Sequence, residues 1–176
     1  MPWTAEVCRQ AGTVHVGGTL DEVTAAEAEV ARGRHADRPF CIVVQPCVVD
    51  PSRAPPGRHT LWGYCHVPNG SSVDVTDAIE RQLERFAPGF RDLVLARTTT
   101  TAAQAAAENP NYVGGDIGGG ATSLLRTLSR PTLRWDPYRT PLQGVYLCSS
   151  YTPPGGGVHG MCGVFAARSA LRALRG

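Results

Sequence analysis

Residues 147–163 read LCSSYTPPGGGVHGMCG, and they concentrate the chemistry-bearing features of this sequence. Two prolines and three consecutive glycines precede the last amphipathic segment, VFAARSALRALRG, which predicts a helix. A backbone without side chains allows close approach of a ligand and unusual backbone angles. The first turn of a helix leaves its N–H groups unpaired, and the helix dipole adds partial positive charge there. Anionic or electron-rich groups bind well at such a place. The same composition also makes a tight turn, and the glycines lack the G-x-G-x-x-G spacing of a dinucleotide fingerprint.

Other residues could do chemistry. On the strand HTLWGYCHV (59–67), Leu61, Gly63, Cys65 and Val67 fall on one side. Thr60, Trp62, Tyr64 and His66 fall on the other, an aromatic and polar face suited to binding. Tyr64 and His66 are therefore candidate catalytic groups, against the plainer reading as sheet-surface residues. The loop NPNYVGGDIGGG (109–120) carries five glycines and offers Asn111, Tyr112 and Asp116, either in an active-site loop or in a mobile surface loop. Cys148, His159 and Cys162 give only three potential zinc ligands, so no metal site is expected. Cys65 and His66 are strand neighbours and point to opposite faces, which argues against a nucleophile pair. Asn69 begins a glycosylation sequon, with no export signal beside it.

The elements that must position these groups follow from pattern. TVHVGG reads as a strand. TLDEVTAAEAEVARGR reads as a helix, with Thr19 and Glu22 at capping-box spacing, an apolar face of Leu20, Val23 and Val30, and a stop at Gly33. Residues 40–50 predict a strand in which Pro46 marks an edge or bulge. With the strand at 59–67 it predicts an antiparallel hairpin around a short Pro/Gly loop. Asp74 or Thr76 caps a helix striped by Ile79, Leu83 and Phe86 and ended by Pro88-Gly89. RDLVLAR predicts a short strand, TAAQAAAE a short helix, SLLRTL one or two helical turns, and Gly144–Cys148 a buried strand. The fold class is mixed α/β: an antiparallel sheet with flanking helices, then a C-terminal strand, glycine-rich turn and helix.

Composition bounds the function. The 176 residues suffice for one domain or two small lobes, and a net charge of +2 from scattered arginines argues against a nucleic-acid surface. No run approaches the ~18 apolar residues of a membrane span. Residues 1–16 show no signal peptide, so the six cysteines read as reduced and the chain as cytoplasmic.

The segment GVYLCSSYTPPGGGVHGMCGVFAARSAL resembles the C-terminal flavin-contacting segment of the phytoene-dehydrogenase-like, carotenoid-desaturase-related FAD-dependent oxidoreductases. GTVHVGGTLDEV, HTLWGYCHVPNG, IERQLERFAPGFRDLVLAR, NPNYVGGDI and RPTLRWDPYRTP resemble the same family in the same order. The resemblance covers nearly the whole chain and corresponds to the last third of such an enzyme. It implies a substrate-region portion (1–118) and a portion like the end of an FAD domain (119–176). It implies that Gly155, Gly156, Gly157, Val158 and Gly160 present backbone to the isoalloxazine ring. Ser149 and Ser150 would then lie near the ribityl or pyrophosphate, and Thr152 and Pro154 match the family's threonine and proline.

The departures are Ser149 and Ser150, where glycine or an acidic residue is common, and Pro153, where histidine is frequent. A strand–G-x-G-x-x-G–helix unit for the ADP half of FAD is not found in this sequence. The resemblance thus implies FAD, an apolar small-molecule substrate, and either a protein partner carrying that unit or a homo-oligomer. It leaves open a fragment, a subunit of a split flavoenzyme, or a flavin-free binding protein that kept the Trp62/Tyr64/His66 face.

Overall fold

The structure is a computed structural model that describes residues 1–120 and 129–175. The chain forms two compact units, Met1–Gly115 and Asp116–Gly176. It is mixed α/β, with one three-stranded antiparallel sheet.

In the first unit, a short helix α1 (Glu6–Gln10) leads to β1 (Thr13–Val16). Helix α2 (Leu20–Ala31) starts as its capping box requires: Glu22 N donates to Thr19 Oγ1, and Thr19 N donates to Glu22 Oε2 at 3.0 Å. It stops at Gly33, whose φ of +76° costs a Cβ-free residue little. Strand β2 (Cys41–Val44) pairs antiparallel with β1 and with β3 (Trp62–Cys65), in the order β1-β2-β3. Alternation puts Val14, Val16, Cys41, Val43 and Cys65 on one face. That face packs with Trp3, Leu83, Ala87 and Phe90 into a continuous core. Leu83 comes from α4 (Thr76–Glu84), with Ile79 and Phe86 half-buried beside it.

One polar side chain inside this core is fully used. Gln45 is buried; its Oε1 accepts from Trp3 Nε1 at 2.9 Å, and its Nε2 donates to Cys8 O and Ala11 O at 2.8 Å each. Partnering of this kind offsets the cost of burying an amide.

Several expectations give way. The strand expected over 40–50 ends at Val44, because Pro46 opens a four-residue helix α3 (Pro46–Val49). Proline has no N–H to donate and suits the first helical position. The β2–β3 pairing is antiparallel as expected, but residues 45–61 join it through α3 and a 3-10 turn at Pro51–Arg53 rather than a short loop. Val75, not Asp74 or Thr76, occupies the N-cap of α4, although Asp74 Oδ1 accepts from Thr76 N at 2.8 Å. RDLVLAR is not a strand: it forms a 3-10 turn at Arg91–Leu93, and Leu93 and Leu95 are exposed. The TAAQAAAE helix is α5 (Ala102–Glu108), held by a second capping box between Thr101 and Gln104. The SLLRTL segment lies outside the described residues.

In the second unit, the buried strand expected at Gly144–Cys148 reduces to one β-bridge between Arg139 and Tyr146. Val145 and Leu147 are exposed, and Leu147 N donates to Tyr138 O at 2.7 Å. Among the described residues of this unit the run meets only the irregular segment around Tyr138, with no sheet to bury its apolar side chains. The final helix α6 (Met161–Arg175) begins before Val164, immediately after the glycine-rich turn.

Candidate functional site

The glycine-rich turn is built on braces below it. Thr152 is fully buried, and its N and Oγ1 donate to Ser149 O at 3.0 and 2.8 Å. Gly155 N donates back to Thr152 O at 2.9 Å. Cys162, buried on the first turn of α6, directs its thiol to Thr152 O and Gly155 O at 3.5 and 3.3 Å. Tyr138 Oη donates to Pro153 O at 2.9 Å, and its ring lies 6.1 Å from that of Phe165 on α6. Asp136 accepts from the Ser169 hydroxyl farther along the helix. These contacts leave Ser150, Pro154, Gly156, Gly157, Val158 and Gly160 at the surface. Gly155 and Gly160 need their glycines for conformation, with φ of +101° and +65°.

The sequence-predicted residues of this turn therefore divide by task. Thr152 shapes the turn from inside, while Gly156, Gly157, Val158 and Gly160 form its accessible backbone. Ser149 Oγ accepts from Tyr151 N at 3.2 Å, so part of its capacity serves the turn itself. His159 was considered above only as a metal ligand. Its Nδ1 accepts from Met161 N at 3.0 Å, and its ring lies where a Cβ on Gly157 would sit, 2.7 Å from the nearest ring atom. It thus occupies one of the helix's free N–H groups. Among the described residues no cluster of three His, Cys, Asp or Glu side chains could hold a metal ion.

The loop at 109–115 is fastened to another segment of the first unit. Gly70 N donates to Gly114 O at 2.8 Å, and Asn69 Nδ2 donates to Val113 O at 3.0 Å. Asn111 is exposed and Tyr112 half-buried on this loop. Asp116 belongs to the second unit, where its carboxylate accepts from Gly118 N at 2.6 Å and from Gly120 N. It holds the following glycine run in a turn.

Tyr64 and His66 do come together. On the sheet face opposite the core, the Trp62 and Tyr64 rings are 5.2 Å apart, and the Tyr64 and His66 rings 6.2 Å. His66 Nδ1 lies 2.8 Å from the Glu27 carboxylate on α2. The reading by sequence missed Glu27. Its signal was available: Val23, Glu27 and Val30 have i, i+4, i+7 spacing, so a carboxylate occupies a place in the apolar stripe of α2. On the other face Cys41 and Cys65 are directly paired, and burial pushes their thiols up to about 12 and about 11. Such thiols stay protonated at neutral pH, and Cys65 and His66 point to opposite faces.

The "Pyridine nucleotide-disulfide oxidoreductase domain-containing protein 2" of Mus musculus is 34% identical to this chain over 155 aligned residues, covering 81% of this chain and 26% of the mouse protein. The Rattus norvegicus protein of the same name gives the same identity and coverage. The chain spans about a quarter of the length of these curated relatives. No family model and no solved structure matches it. Sequence similarity therefore links the chain to proteins named for a pyridine nucleotide oxidoreductase domain, at a coarser level than the phytoene dehydrogenases.

Proposed function

We propose that this chain is the substrate-side and flavin-closing portion of an FAD-dependent oxidoreductase of the phytoene-dehydrogenase-like group, acting on an apolar small molecule. A strand–G-x-G-x-x-G–helix segment elsewhere, in the same protein or in a partner, holds the ADP half of FAD. The observation that carries this reading is the braced turn. Thr152, Cys162 and Tyr138 hold its interior, and the backbone at Gly156, Gly157 and Gly160 stays accessible just before a 15-residue helix. The shared similarity with the two mammalian oxidoreductase-domain proteins supports it.

The residues present fit a flavin. The space beside Gly156 is open, with no atom nearer than 3.9 Å to where a Cβ would stand, so a planar ring can approach the backbone there, while His159 covers Gly157. Bound FAD would supply the hydride acceptor. The chain's own part is to present N–H groups and the positive end of α6 to the ring as negative charge develops on it. His159 would leave Met161 N or share it.

The test is a titration of the chain with FAD, lumiflavin and ADP, followed by flavin fluorescence. Binding of FAD and lumiflavin without competition by ADP is expected, with tighter FAD retention once a G-x-G-x-x-G unit is co-expressed. Absence of flavin binding in every combination overturns the proposal.

A further inference from the structure

The open face of the sheet carries an arrangement that the flavin reading does not use. Trp62 and Tyr64 of β3 and His66 just beyond its end stand at alternate positions, with Ile42 and Val44 of β2 beside the first two on the same face. Trp62 is 55% exposed. At a rise of about 3.3 Å per residue, positions 62 to 66 span roughly 13 Å, room for two or three fused rings. The apolar end of this track is Trp62 and the polar end is His66.

Glu27 decides what the polar end can read. A carboxylate only accepts hydrogen bonds, so His66 Nδ1, 2.8 Å from Glu27, carries a proton in either charge state. In the neutral imidazole Nε2 is therefore the acceptor, and it has no hydrogen-bond partner among the described residues. A dry hydrocarbon would leave that acceptor unused. A ligand with a donor at one end would satisfy it.

We infer that the Trp62–Tyr64–His66 face binds a planar aromatic molecule bearing a hydroxyl or N–H donor, with His66 Nε2 accepting that donor and Glu27 acting as the positioning residue. The inference rests on reading this sheet as the substrate-side surface. It does not rest on flavin binding, because every residue involved lies in the first unit.

The probes are 2-naphthol and 2-methoxynaphthalene, which differ only in the donor, titrated into the full chain and followed by tryptophan fluorescence and calorimetry. The naphthol is expected to bind roughly five- to tenfold more tightly, the worth of one hydrogen bond. Glu27→Gln and His66→Phe should each erase that preference, so that the two probes bind equally to each variant. Trp62→Phe should abolish the quenching. Nitrogen NMR should show the His66 proton fixed on Nδ1 in the native chain and distributed over both nitrogens in Glu27→Gln, a change that a merely structural contact would not couple to naphthol preference. Glu27 and His66 side chains are 41% and 50% exposed, so both variants should fold with an unchanged melting midpoint.

Equal binding of the two probes, no binding of either, or a preference that survives Glu27→Gln overturns the inference. So does concentration-dependent self-association that Trp62→Ser removes, which would make the face a contact between copies. The lumiflavin titration is scored separately, so flavin binding without naphthol preference, or the reverse, shows which reading has failed.

Discussion

The two units are held together by different forces. The first closes an apolar core in which Trp3, Cys41, Val43, Leu83 and Ala87 are each at most 2% exposed. The second buries Thr152, Cys162, Ala166 and Ser169 among its described residues, while Trp135 and Val158 stand fully in solvent, joined by Leu133 and Leu174. Its order comes from hydrogen bonds around one turn: Thr152 to Ser149, Cys162 to Thr152 and Gly155, and Tyr138 to Pro153. A sheet with one covered face provides a core within the first unit. A turn braced by single hydrogen bonds, each worth about 1 kcal/mol, does not provide one.

The sharpest way to break this contrast is to remove a large side chain from each unit. Trp3→Ala should cost about 3–5 kcal/mol in denaturant unfolding, since it empties the core and strands the Gln45 amide. Phe165→Ala, on a half-buried ring against Tyr138, should cost no more than about 1–2 kcal/mol. Equal losses would mean that the second unit has an apolar core of its own. Next in size is Thr152→Val, which keeps the volume and removes the hydroxyl. It should cost about 1 kcal/mol, and amide exchange should accelerate from Ser149 to Gly160 but not in the sheet. Uniform acceleration in both units would dissolve the distinction.

The same contrast governs what could be read from the sequence. Where local chemistry decides, the pattern was legible. Thr19 and Glu22 satisfy each other within four residues, and the alternation of Trp62, Tyr64 and His66 against Gly63 and Cys65 fixes their faces. The T-x-x-Q box at Thr101 and Gln104 was equally available, although propensity alone had indicated that helix. Where distant residues decide, the pattern failed. Pro46 is equally compatible with a bulge and a helix start; the helix forms with Gln45 buried against Trp3, 42 positions away in the chain. Val145–Cys148 has strand composition, but a strand needs neighbours, and the described residues of the second unit offer a single bridge. Glu27 joins the candidate site across 39 positions, a separation at which no local motif operates. The glycine-rich turn was legible as a turn; that Thr152 faces inward and His159 caps α6 depends on packing against that helix.

The smallest expected effect sharpens the contrast through pH. Glu22 accepts from Thr19 N and also from Arg85 and Arg38, at 2.7 and 3.1 Å. These interactions, the backbone bond foremost, hold its carboxyl at about 2 instead of the ordinary 4.5. A folded-state value below the unfolded one means that the contribution is complete above about pH 4.5 and fades as the pH falls toward 2. Glu22→Gln should therefore lower the melting midpoint at neutral pH, and the gap to the native chain should close across that acid window. Because the carboxylate keeps partial contact with solvent, the gap should be modest and added salt should shrink it by screening the arginines, leaving the share owed to Thr19 N. Amide exchange at acid pH should then loosen the start of α2, where the lost bonds are, before the Thr152 turn, whose bracing groups are hydroxyls, a thiol and backbone carbonyls. A gap that stays constant from pH 7 down to 2 would assign Glu22 a role independent of its charge, and acid would then no longer separate the two units.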